Sequence, residues 1–303
     1  MSRKTVLGVI LILIAAPALF ALIDAVTFSV LNRTNGIVIS SGVERNYLLY
    51  VPRSYDRAKP APLVISMHGA GGWPTQQMEM SGWNELAERE GFIVVYPAGG
   101  YGGRPRVWSV ESDRRVPRDV QFISDLIDTL QANYNIDPAR IYANGLSNGG
   151  GMSFSLSCTL ANRIAAVGLV ASALTNAWNA CRDMRPVPVI AFHGEADPVT
   201  RYHGGKTWVA PRSFPNVPMF IGKWARRNRC APDAVESKVA ADVTRRAYTN
   251  CAAGVVLYTI HGGGHQWPGG KPMPEWFVGP AISSIDATSQ MWAFFRAHPL
   301  TQR

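Results

Sequence analysis

The residues best placed to do chemistry are the serine of Gly145-Leu146-Ser147-Asn148-Gly149 and two later polar side chains. A short β-branched and aromatic run at 141–143 precedes this G-x-S-x-G, and a stretch of small residues that reads as a helix follows it. In a strand–turn–helix setting the sharp turn holds the serine on strained backbone and lifts its hydroxyl clear of the sheet edge. A neutral hydroxyl is a weak nucleophile, so it needs a base to take its proton and an acid to orient that base. Downstream, one apolar run ends in His193-Gly194-Glu195-Ala196-Asp197-Pro198 and another in His261-Gly262-Gly263-Gly264-His265-Gln266-Trp267-Pro268. Ser147 is therefore the expected nucleophile, Asp197 the orienting carboxylate and His265 the base, a set suited to acyl transfer. Glu195 is the local competitor of Asp197. His261 and His193 read as structural, and His203 and His298 as surface histidines.

Acyl transfer also needs donors for a tetrahedral oxyanion. The first amide of the helix after Ser147, that of Asn148, is one candidate. The second should come from His68-Gly69-Ala70-Gly71-Gly72-Trp73, where Ala70 or Gly71 can present a backbone N–H. No G-K-[ST] follows those glycines, which excludes a phosphate loop. Trp73, Trp108 and Trp267 lie in or beside these loops and are the expected substrate contacts, forming a wall suited to an aryl group or a polymer chain. No cofactor is called for, and the cysteines lack the spacing of a metal site.

Such residues must be held by a sheet. Residues 63–67 and 92–96 are nearly continuous apolar runs, as expected of central parallel strands covered on both faces. Runs at 46–51, 141–143, 166–170, 187–192 and 255–260 extend the series. Between them, Val120, Ile123, Leu126, Ile127, Leu130 and Tyr134 keep helical spacing, and 285–297 gives a second amphipathic helix. Alternating strands and helices imply an α/β fold with a mostly parallel central sheet and helices on both faces. The reading is one catalytic domain over 37–303. A small cap-like excursion is expected near 202–250, with a helix at 219–229.

Of the 303 residues 47% are hydrophobic and 17% charged, a balance that supports a large buried core. Residues 1–36 stand apart: Arg3 and Lys4 precede an apolar stretch from Val6 to Ile23, the pattern of an export signal. The stretch is also long enough to span a bilayer, so an uncleaved anchor is the alternative. Either way the catalytic part is expected outside the cytoplasm, secreted or periplasmic. Cys158, Cys181, Cys230 and Cys251 suit that compartment. Three pairings exist, of which 158 with 181 and 230 with 251 closes each loop locally. A net charge of +9 reads first as a solvated basic surface, with contact to an anionic cell surface as the alternative. Nucleic acid is not an expected partner, since no binding motif accompanies the charge.

With these residues in view, the chain resembles the secreted α/β-hydrolase esterases grouped as polyhydroxybutyrate depolymerases and feruloyl esterases. The His68-Gly69 loop, Trp108, Asp119-Val120, residues 145–150, His193-Gly194 with Asp197-Pro198, and residues 262–270 carry the likeness. The resemblance implies an α/β-hydrolase fold, a triad at Ser147, Asp197 and His265, and the local cysteine pairing. It also implies hydrolysis of polyhydroxyalkanoate-type or aryl esters through an acyl-enzyme. The region of the expected cap departs from the pattern, so substrate preference does not transfer. A polysaccharide deacetylase, a peptidase on the same triad, and a non-catalytic surface-binding module are the alternatives.

Overall fold

The computed structural model describes residues 26, 30–100, 106–110, 118–173, 178–181, 185–207 and 210–301. The chain separates into two units, Met1–Arg33 and Thr34–Arg303. The expected export signal lies almost wholly outside the described residues. Among the described residues no helix is long and apolar enough to cross a membrane.

The second unit is built on a ten-stranded sheet. In chain order its strands are β1 (Gly36–Ser40), β2 (Val43–Tyr50), β3 (Ala61–Met67), β4 (Ile93–Pro97), β5 (Ile136–Leu146), β6 (Ala166–Val170), β7 (Val189–Gly194), β10 (Ala234–Ala240), β11 (Val243–Tyr248) and β12 (Val255–Ile260). A separate hairpin pairs β8 (Gly205–Thr207) with β9 (Ala210–Phe214). The helices are α1 (Pro74–Ser81), α2 (Trp83–Glu90), α3 (Arg118–Asn133), α4 (Asn148–Thr159), α5 (Val217–Arg227), α6 (Glu275–Val278) and α7 (Ala287–Arg296). Spatial order across the sheet is β1-β2-β4-β3-β5-β6-β7-β12-β11-β10. The six central strands, β4 through β12, pair in parallel, and antiparallel strands finish both edges.

Period-2 alternation in the central strands explains the layering. Leu63, Ile65 and Met67 face one core with Ile141, Leu169 and Leu257, against Phe122, Ile123 and Leu126 of α3, Phe154 of α4 and Trp224 of α5. Val64 faces the other core with Tyr142, Ile190 and Phe192, against Trp83 of α2 and Met291, Trp292 and Phe295 of α7. Burying both sheet faces at once is why these strands read as unbroken apolar runs.

The segment 202–250 differs from the expected excursion. Phe220, Ile221 and Trp224 bury α5 in the first core. β10 and β11 then extend the main sheet as an antiparallel pair joined to β12. Among the described residues of this segment, the β8–β9 hairpin pairs apart from the main sheet. Cys158 is bonded to Cys181, tying the end of α4 to a 3-10 turn at Trp178–Cys181. Cys230 is bonded to Cys251, tying the exit of α5 to the approach to β12.

Candidate active site

Ser147 stands between β5 and α4 with φ 54° and ψ −117°, a left-handed backbone that a serine rarely adopts. Its amide donates to the Val170 carbonyl of the neighbouring strand at 2.8 Å. The two glycines of the motif permit the turn by being small. A Cβ on Gly145 would lie 2.6 Å from the Met67 carbonyl oxygen, and one on Gly149 would lie 2.2 Å from it. Backbone cannot yield to such contacts, so α4 approaches β3 this closely only with glycine at both places.

Asp197 and His265 leave the carboxyl ends of β7 and β12, which are neighbours in the sheet. His265 Nδ1 donates to Asp197 Oδ2 at 2.8 Å, and both side chains are buried. The other carboxylate oxygen accepts the amides of Val199 and Thr200, each at 2.7 Å. His193 Nε2 lies 3.3 Å from Oδ2 and 2.6 Å from the Thr200 carbonyl. Burial alone would raise the Asp197 carboxyl. The charge of His265 and the hydrogen bonds from His193 and His265 outweigh it and hold the group well below the usual carboxylate range. With its Nδ1 proton committed to the carboxylate, the His265 ring has Nε2 left to accept a proton. The competitor Glu195 instead meets His261, at 3.2 Å on the exposed surface.

Two loop features refine the oxyanion candidates. Asn148 is the first residue of α4, where helix amides have no partner within the helix. Gly71, by contrast, donates its amide to the Arg106 carbonyl at 2.8 Å. Of the two donors expected from this loop, that bond removes Gly71 and leaves Ala70, which is exposed. His68, just before it, is buried. Its Nδ1 donates to the Gly69 carbonyl at 2.7 Å, and its Nε2 accepts the Gly99 amide at 2.9 Å. Burial in the main pushes this imidazole down to about 4, so it is neutral and serves as a fixed strut.

The tryptophan wall is corrected by burial. Trp108 is 2% exposed, with its indole N–H donating to the His68 carbonyl at 2.9 Å. Trp267 is 3% exposed and donates to Thr288 Oγ1 at 2.9 Å within the second core. Both are structural, because an indole sealed among protein atoms presents no face to a ligand. Trp73 alone of the three remains half-buried, with the Arg106 guanidinium 5.6 Å from its ring. Trp276, one of the tryptophans dense in these loops but not among the three preferred contacts, is 87% exposed on α6. That helix is joined to the His265 loop, whose His265 amide donates to the Val278 carbonyl at 2.6 Å. The sequence signal for it was only its place in an aromatic Glu-Trp-Phe run soon after the histidine.

The chain is similar to known esterases. The family described as esterase PHB depolymerase matches residues 45–250. Feruloyl esterase B of Piromyces equi is 33% identical over 235 residues, covering 75% of this chain and 44% of that protein. The chain thus spans under half of that relative's length. Feruloyl esterase C of Emericella nidulans is 28% identical over 271 residues, covering 87% of both. An acetyl xylan esterase structure from Aspergillus awamori superposes with a TM-score of 0.63 at 15% identity, covering 86% of this chain and 98% of that one. The fold is that of the α/β-hydrolases.

Proposed function

The chain belongs to the esterase PHB depolymerase family, and from that premise we propose that it is an exported serine carboxylesterase acting through an acyl-enzyme. Ser147 Oγ adds to the ester carbonyl carbon while His265 Nε2 takes its proton. The amides of Asn148 and Ala70 receive the developing oxyanion. Collapse of the tetrahedral species breaks the bond to the alcohol, which leaves with the proton from His265. Water, deprotonated by the same imidazole, then releases the acid and regenerates the serine. The observation that carries this reading is the buried 2.8 Å bond from His265 to Asp197, whose other carboxylate oxygen accepts two backbone amides. A merely structural pair would not need its free ring nitrogen at the same sheet edge as a strained serine.

The relatives and two tryptophans not sealed in the core support an ester class. Trp73 at the oxyanion loop and Trp276 near the His265 loop suit an aryl ester of the feruloyl type or a hydroxyalkanoate chain. A polysaccharide deacetylase is the second reading, favoured by the structural likeness to an acetyl xylan esterase. Two disulfides support a place outside the cytoplasm. The test is a panel of methyl ferulate, p-nitrophenyl hydroxybutyrate and acetylated xylan with wild-type protein and Ser147→Ala. Wild type should turn over at least one, and the variant should lose several orders of magnitude in kcat. Equal rates for the two proteins would reject the reading.

A further inference from the structure

Segment 106–110 is fastened at four of its five residues, by the 69–72 loop, α3 and α4. Arg106 pairs with Gly71 in both directions: the Gly71 amide donates to its carbonyl at 2.8 Å, and its Nε donates to the Gly71 carbonyl at 2.9 Å. The Trp108 amide donates to Asn148 Oδ1 at 2.6 Å, and Asn148 Nδ2 donates back to the Trp108 carbonyl at 3.2 Å. Ser109 donates its amide to Asp119 Oδ2 at 2.7 Å. Ser155 Oγ of α4 donates to the Val110 carbonyl at 3.1 Å. The other Asp119 oxygen accepts Arg45 Nη2 at 2.6 Å, with both side chains 3% exposed. The Arg45 guanidinium also lies 3.9 Å over the Phe122 ring.

A buried ion pair gives little net stability, because desolvation offsets most of the attraction. Here its carboxylate ends on the backbone of a segment that touches both halves of the oxyanion site. We infer that Asp119, set by Arg45, is a positioning residue that fixes segment 106–110, and through it the spacing between the Ala70 and Asn148 amides. The inference rests on the esterase reading. The chain of contacts runs from Arg45 through Asp119 and Ser109 to Trp108. From there one branch reaches the Asn148 side chain, and the other reaches Gly71 through Arg106. Loosening either end lets the two donors drift apart, and displacement of about 1 Å at such a site costs roughly 100-fold in rate.

The experiment compares the full-length wild type with Asn148→Ala and with the double variant Arg45→Met/Asp119→Leu. Asn148→Ala removes the side-chain clamp but keeps the backbone donor. The double variant replaces the ion pair by apolar groups, a change that buried pairs often tolerate. Three quantities are read: kcat/KM on p-nitrophenyl acetate, inhibition by an aryl trifluoromethyl ketone, and inhibition by the matching methyl ketone. The trifluoromethyl ketone becomes a tetrahedral oxyanion on Ser147, whereas the methyl ketone binds without that adduct. Both variants should lose about 10- to 100-fold in kcat/KM and weaken toward the trifluoromethyl ketone by the same factor, with methyl ketone binding unchanged. Folded variants that keep wild-type kcat/KM and trifluoromethyl ketone affinity would overturn the inference, as would equal weakening toward both ketones. Should the double variant not fold, Asp119→Asn takes its place, with the same selective loss toward the trifluoromethyl ketone expected and unchanged affinity overturning the inference. A wild type that neither hydrolyses the ester nor takes the trifluoromethyl ketone would overturn the esterase reading, and this inference with it.

Discussion

Two buried titratable side chains of the candidate site are tuned in opposite ways. Asp197 is surrounded by donors and stays charged, whereas His68 meets a carbonyl and an amide and stays neutral. An unfolded histidine takes its proton near about 6.5, but the folded His68 resists it down to about 4. Between those values the unfolded state binds more protons, so this site's share of stability is complete at neutral pH and lost as pH falls. The loss is on the order of 3 kcal/mol by pH 4. Denaturant unfolding at several pH values should show it, and His68→Gln, which cannot titrate, should decline less steeply than wild type. Parallel declines would contradict the assignment. Asp197→Asn should keep the fold, because the Val199 and Thr200 amides retain an acceptor. It should nevertheless reduce kcat by about 10⁴-fold through loss of the oriented imidazole, measured on any ester that the wild type hydrolyses.

Among the elements, the β5–α4 junction tolerates least. Gly149→Ala forces a Cβ into the Met67 carbonyl at 2.2 Å and should destabilise by roughly 1–3 kcal/mol or more. At Gly69 the nearest atom to a new Cβ is 3.5 Å away, so Gly69→Ala should be close to neutral in stability. Urea midpoints of the two variants would rank them, and equal midpoints would show that the turn relaxes. The same junction was legible in sequence because glycine, serine and strand run coincide there. Parallel strands β3, β4, β6 and β12 were legible because both of their faces are apolar. Strands β10 and β11 were not: Glu236, Lys238, Arg245 and Arg246 interrupt them, since the pair is covered on neither side as the centre is. Helix α1 escaped notice for a related reason, as it buries Thr75, Gln77 and Ser81 rather than an apolar stripe. Tryptophans posed a different problem. Their type marks Trp108, Trp267 and Trp276 alike, and only packing shows that the first two are sealed and the third is open.

On the scale of the whole molecule, a net charge of +9 and two disulfides support the proposed place in an oxidising compartment outside the cytoplasm. Each disulfide closes a loop of moderate length, 23 and 21 residues apart in sequence. Replacing either pair by serines should therefore cost about 3 kcal/mol on the chain-entropy account, measured as a shift in the urea midpoint. An unchanged midpoint would mean that α4 and the exit of α5 are held by packing alone. The proposed covalent reaction at Ser147 draws on residues that follow the carboxyl ends of β5, β7 and β12. Its most direct test is peptide mapping by mass spectrometry after reaction with an alkyl fluorophosphonate. One adduct is expected, on Ser147, formed far more slowly in His265→Ala and Asp197→Asn. An unlabelled Ser147 in a protein that still hydrolyses esters, or an equal labelling rate in all three proteins, would contradict it.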